Sequence, residues 1–147
     1  MSSYKHLKTA KEAEKAFAEY LIKKGHRVTG RNSPVDIVSN YRGKEYCFEI
    51  KSTILNARNN FFGAVTLNQL KTALFNQKYY RFVIARRINN KWSFKIYTLK
   101  QFLPFCGNGS FRIAFNIPKS QGCRIHRSKM TIPRLKKLIS FHKRFKK

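Results

Sequence analysis

Negative charge is what this sequence has least of. Six carboxylates stand against 32 Lys and Arg in 147 residues, a formal charge of +26. Such a chain repels cationic partners and attracts a dense polyanion such as a nucleic-acid backbone. Cysteine is scarce as well. Cys47, Cys106 and Cys123 cannot all pair within one chain, so a reducing, cytoplasmic setting is expected. None of them has CxxC spacing and His6, His26, His126 and His142 are scattered, which argues against structural zinc. No apolar run is long enough to span a bilayer, no basic amphipathic stretch dominates, and the N-terminal MSSYKHLKTAKEAEK lacks the apolar segment of a signal peptide. No membrane partner is expected.

What is present suits one ordinary core: 42% hydrophobic and 14% aromatic residues, too short a chain for two comfortable domains. The expectation is a single domain over 1–147, with its core over about 9–103 and a basic C-terminal extension over about 104–147. Ala10, Ala13, Ala16, Phe17, Tyr20 and Leu21 recur at helical spacing before a stop at Gly25. HRVTGRNSP reads as a short strand and turn, and VDIVS and EYCFEIKST as strands joined by a turn at Gly43. ILNARNNFFGAV reads as a polar loop, and TLNQLKTALFNQ as a helix capped by Thr66. YYRFVIARRI and KWSFKIYTL are strands joined at Asn89 and Asn90. After residue 104, short apolar pieces lie between Gly and Pro, with one strand at FRIAFNI. A last helix from about Thr131 turns Leu135, Leu138, Ile139 and His142 inward.

Three of the six acids fall within fourteen positions, in SPVDIVSNYRGKEYCFEIKST. Alternation along the second strand puts Glu49 and Lys51 on one face and Phe48 and Ile50 on the other. A hairpin brings Asp36 beside Glu49. Two carboxylates, with the Ile50 carbonyl as a third protein oxygen, suit Mg²⁺, and Lys51 would stand near the attacking water or the charged transition state of phosphodiester hydrolysis. Glu14 lies on the inward stripe of the first helix and is expected to join them, whereas Glu12 and Glu19 are expected to pair with nearby lysines.

Glu14, Asp36 and Glu49-Ile50-Lys51 together resemble the PD-(D/E)XK nuclease superfamily over about residues 10–100. The resemblance implies an α/β restriction-endonuclease-like fold, a mixed central sheet flanked by helices. It also implies a Mg²⁺-dependent endonuclease, with Mn²⁺ able to substitute, in which Glu14, Asp36 and Glu49 hold metal and Lys51 assists hydrolysis. Gln69 stands where some similar members carry a Gln approaching the active site. Within the superfamily, the likeness to intron-encoded homing endonucleases implies site-specific cutting of double-stranded DNA. The spacing of AEKAFAEYLIKKGHRV, VDIVS and YCFEIK is similar to archaeal Holliday-junction resolvases. A catalytically silent nucleic-acid-binding module on the same fold is the third reading.

For DNA contacts the candidates are Arg31, Ser33, Ser52, Arg58, Arg86, Arg87, Asn89 and Lys91, because Arg and Asn match guanine and adenine edges and hydroxyls and ammonium groups match phosphates. One active site cuts one strand, so a double-strand break implies a homodimer or homotetramer.

Overall fold

The computed structural model describes residues 2–30, 35–53, 61–107, 112–117 and 130–145. Helix α1 (Ser2–Lys23) buries Ala13, Phe17 and Leu21, one residue per turn, on one stripe. It stops where Gly25 takes φ 93° and His26 N–H closes onto the Leu21 carbonyl at 2.9 Å. Strand β1 (Arg27–Gly30) then pairs antiparallel with β2 (Ile37–Tyr41). The turn from β2 to β3 (Lys44–Thr53) has two residues, Arg42 at φ 52° and Gly43 at φ 78°. Positive φ at both positions matches the right-handed twist of the flanking strands and fixes the register as Ile37 opposite Phe48.

The chain continues through β4 (Phe61–Thr66), helix α2 (Leu67–Phe75) and β5 (Tyr80–Ile88), which pairs parallel to β3. Asn89 and Asn90, at φ 50° and 62°, turn β5 into β6 (Lys91–Tyr97), as the two Asn predict. Helix α3 (Leu99–Phe102), a short 3-10 turn, β7 (Arg112–Ile117) and α4 (Ile132–Phe145) follow. The main sheet has the order β1-β2-β3-β5-β6, and β4 and β7 form a second, two-stranded sheet.

The mixed sheet flanked by helices is therefore present as expected. Its two faces carry different cores. On one, α1 packs Phe17 and Leu21 against Ile37, Phe48, Ile50 and Val83. On the other, Tyr80, Phe82 and Ile84 meet α2, α3, α4 and the β4–β7 pair.

One expectation is corrected here. FFGAVT is not loop: Phe61 and Val65 are buried, and the strand pairs with β7 along its whole length. The C-terminal extension also contributes to the core, since Ile113, Phe115, Met130, Leu135 and Ile139 are buried in the same cluster as Leu70 and Phe82. Leu135 and Ile139 face inward as the periodicity predicts, and the side chain of His142 lies outside the described residues. Among the described residues, no helix is long and apolar enough to cross a membrane.

Candidate active site

Asp36 sits one residue before β2 and is held twice to β3. Its N–H donates to the Phe48 carbonyl at 3.1 Å, and its Oδ2 accepts the Ile50 N–H at 2.8 Å. The N–H and C=O of one strand residue project to the same edge, so the Ile50 carbonyl faces the side on which Asp36 lies. Glu49 is the neighbour across this joint and is buried, 4% exposed, on the face that looks toward α2.

Two side chains reach Glu49 Oε1. Gln69 Nε2 donates at 2.7 Å, and the Lys51 ammonium lies 3.4 Å away. Lys51 also donates to Gln69 Oε1 at 3.3 Å, closing a triangle of acid, amide and ammonium. The amide of Gln69 is oriented by its own helix. Its Oε1 accepts the Thr66 N–H at 3.0 Å while its N–H donates to Thr66 Oγ1 at 3.1 Å, a capping box at the start of α2. The positive end of the α2 dipole thus opens beside the carboxylate.

Burial pushes the Glu49 carboxyl up to about 7, with the Asp36 charge adding to the rise and Lys51 opposing it. Two carboxylates held this close, one of them in a poorly solvated position, form an arrangement that a divalent cation relieves. The donors are hard oxygens from two acids, which fits Mg²⁺, an ion usually bound by one or two carboxylates and otherwise by water and phosphate. Among the described residues, no three His, Cys, Asp or Glu side chains are placed to hold one metal.

Glu14, expected to join Asp36 and Glu49, is half-buried on α1, the helix that packs on the Phe48 and Ile50 face, and no such three-residue group among the described residues includes it. Glu12, expected to pair along its helix, instead meets Arg87 at 2.9 Å.

The expected DNA contacts divide three ways. Arg31, Ser33 and Arg58 lie outside the described residues. Ser52 is half-buried on β3, and Asn89 and Lys91 are exposed at the β5–β6 turn. Arg86 and Arg87 are engaged by the fold: Arg86 Nη2 donates to the Ile117 carbonyl at 3.5 Å and its guanidinium lies 6.0 Å from the Phe61 ring, while Arg87 holds Glu12 and covers Trp92 at 5.8 Å. Both guanidinium groups therefore have partners within the fold.

Sequence reasoning missed Tyr80. It aligns with Cys47 on the neighbouring strand and so faces the same side as Glu49. Its phenol is raised by burial, then by the charges of Glu49 and Asp36, and its hydroxyl has no hydrogen-bond partner among the described residues. The only available signal was the alternation of YYRFVIARR, which marks a strand without showing its neighbour.

A family model described as "Protein NO VEIN, C-terminal" matches residues 4–98, which include Asp36, Glu49, Lys51 and Gln69. No curated protein sequence matches the chain. Among solved structures, that of a Holliday junction resolvase from the archaeal hyperthermophile Archaeoglobus fulgidus is similar at 12% identity and a TM-score of 0.42, covering 71% of this chain and 84% of that one.

Proposed function

From a chain that belongs to the NO VEIN C-terminal family, we propose a divalent-metal-dependent nuclease whose reaction centre is Asp36, Glu49, Lys51 and Gln69. The observation that supports this reading most is the pairing of Asp36 with a buried Glu49 whose carboxyl is raised to about 7, beside an ammonium and a helix N-terminus. A structural ion pair needs one acid and one base. Here two acids converge on one place, and that costs stability unless a cation or substrate offsets it.

Asp36, Glu49 and the Ile50 carbonyl would hold Mg²⁺. When bound, the ion supplies Lewis acidity toward phosphoryl oxygens. Lys51, 20% exposed at its side chain, places positive charge where the transition state becomes more negative. Gln69 holds both Glu49 and Lys51, so it sets their spacing. The Asp36 link to the Ile50 N–H fixes the first acid against the strand that carries the second.

The substrate class follows from charge: +26 over 147 residues favours a nucleic-acid backbone. Within that class the reading is site-specific cleavage of double-stranded DNA, homing-type, by a homodimer or homotetramer that presents one site to each strand. Support comes from the exposed Asn89, Asn90 and Lys91 at the β5–β6 turn.

The test is cleavage of a duplex DNA library and of a synthetic four-way junction with Mg²⁺, Mn²⁺ or Ca²⁺, using Asp36→Ala as control. Recurrent cuts in duplex support the reading. Paired nicks confined to the junction would replace it with a resolvase, and no cutting of either substrate would leave a nucleic-acid-binding module.

A further inference from the structure

On the opposite face of the sheet from Glu49 lies a cavity of about 350 Å³, within the size range of small-molecule sites. The end of α1 contributes Tyr20, the turn after it Lys24, the strands contribute Tyr41, Tyr46 and Arg81, and His26 stands between them. We propose that this cavity binds a nucleotide unit, with its base against the aromatic rings and its phosphate between Lys24 and Arg81.

The walls carry the inference. His26 stacks on Tyr41 with centroids 4.5 Å apart and planes at 15°, and its Nδ1 lies 2.9 Å from Oγ of the fully buried Ser39, so the ring is fixed from behind. The Tyr46 ring meets the His26 ring edge-on at 5.9 Å and lies nearly parallel to Phe48, at 23°. This makes a rigid π-lined wall. Two lining cations stand over its rings, Lys24 Nζ 5.6 Å from Tyr20 and the Arg81 guanidinium 5.8 Å from Tyr46, and Arg42, outside the lining, lies 5.2 Å from Tyr41. Arg81 is also tethered, since its Nη1 donates to the Tyr80 carbonyl at 2.8 Å and the Gln77 carbonyl at 3.4 Å.

Among the described residues the lining contains no carboxylate. An apolar ligand has no use for the two cations, and an acidic side chain has no use for four aromatic walls. A flat aromatic system that carries negative charge satisfies both, and aromatic stacking with basic flanks is how unpaired bases are held. The site does not depend on the nuclease chemistry, because Phe48 faces this cavity while its neighbour Glu49 faces the other side.

The experiment is equilibrium binding, in EDTA, of a fluorescent single-stranded DNA and of an abasic strand of equal length and charge. It is run on the unmodified protein, on Tyr46→Leu, on Arg81→Gln and on the cleavage control Glu49→Gln. The unmodified protein and Glu49→Gln are expected to prefer the base-bearing strand by about 5- to 100-fold. Tyr46→Leu should reduce that ratio toward one. Arg81→Gln, which leaves the core intact, should weaken the base-bearing strand more than the abasic one. A deoxynucleoside monophosphate should compete at concentrations where inorganic phosphate does not. Equal binding of both strands by the unmodified protein, a ratio untouched by Tyr46→Leu and Arg81→Gln, or equal competition by phosphate would each overturn the proposal. Loss of cutting in Glu49→Gln with the ratio preserved separates this site from the nuclease reading.

Discussion

Gln69 Nε2 donates to Glu49 Oε1 at 2.7 Å while the same amide caps its own helix through Thr66. One side chain thus joins helix stability to the geometry of the acid. Gln69→Ala should lose both, and Thr66→Ala only the cap. Each is expected to cost about 0.5–2 kcal/mol in urea unfolding. Mg²⁺-dependent cutting should fall steeply in Gln69→Ala and stay within a few-fold in Thr66→Ala. Equal loss of cutting in both would show that the amide acts through the helix alone.

The raised carboxyl of Glu49 makes stability depend on pH in a defined direction. The folded state holds a proton up to about 7, whereas the ordinary value is 4.5. Between these values the native state binds more protons than the unfolded one, so stability is full below about pH 4.5 and falls as pH rises through 7. The shift corresponds to about 3 kcal/mol. Urea midpoints from pH 4.5 to 8 should decline, and Glu49→Gln should flatten the decline. Mg²⁺ at about 100 times its Kd should return about 2.7 kcal/mol above pH 7, where the carboxylate is ionised. A midpoint that rises over this window in metal-free buffer would contradict the burial of Glu49.

Much of the fold was legible because its signals are local. The stripe of α1, the Gly43 turn and the alternation of EYCFEIKST each depend on residues a few positions apart, and they suffice to bring Asp36 to Glu49. The Thr66-Leu67-Asn68-Gln69 cap was legible for the same reason. The strand FFGAVT was not, because its pairing partner lies some fifty positions later and its central Gly63 reads as a breaker. Arg86 and Arg87 read as free cations because their partners, Ile117 and Glu12, are 31 and 75 residues away. Charge in a sequence shows that a group exists, not whether the fold has already used it.

Gly63 has a packing role that yields a prediction. It lies opposite Phe115 in the β4–β7 pair, and a Cβ there would run into the Phe115 ring, with Cε1 2.8 Å away. That ring is buried at 1% exposure and packs against Phe61 and Phe102. Gly63→Ala is expected to cost about 1–3 kcal/mol by overpacking. Phe115→Ala should cost about 3–5 kcal/mol by opening a cavity. Urea unfolding decides both, and a neutral Gly63→Ala would mean that the ring moves freely.

The β5–β6 hairpin offers a comparison between two cations four positions apart. Lys91 is exposed at the turn, while Arg87 is bound to Glu12 with both side chains partly exposed. A phosphate contact releases counterions, so removing one lowers the slope of log K against log salt by about 0.9 on duplex DNA. Lys91→Ala should reduce the slope by about that amount and leave unfolding unchanged. Arg87→Ala should reverse the pattern, with the salt slope nearly unaltered and stability lower by up to about 1 kcal/mol, the usual worth of an exposed pair. Glu12→Gln distinguishes the alternatives further, because it frees Arg87 without deleting it. If Arg87 is withheld from DNA by its acid partner, Glu12→Gln raises the slope and the affinity together. A slope that falls with Arg87→Ala and does not respond to Glu12→Gln would place Arg87 on the DNA despite its ion pair.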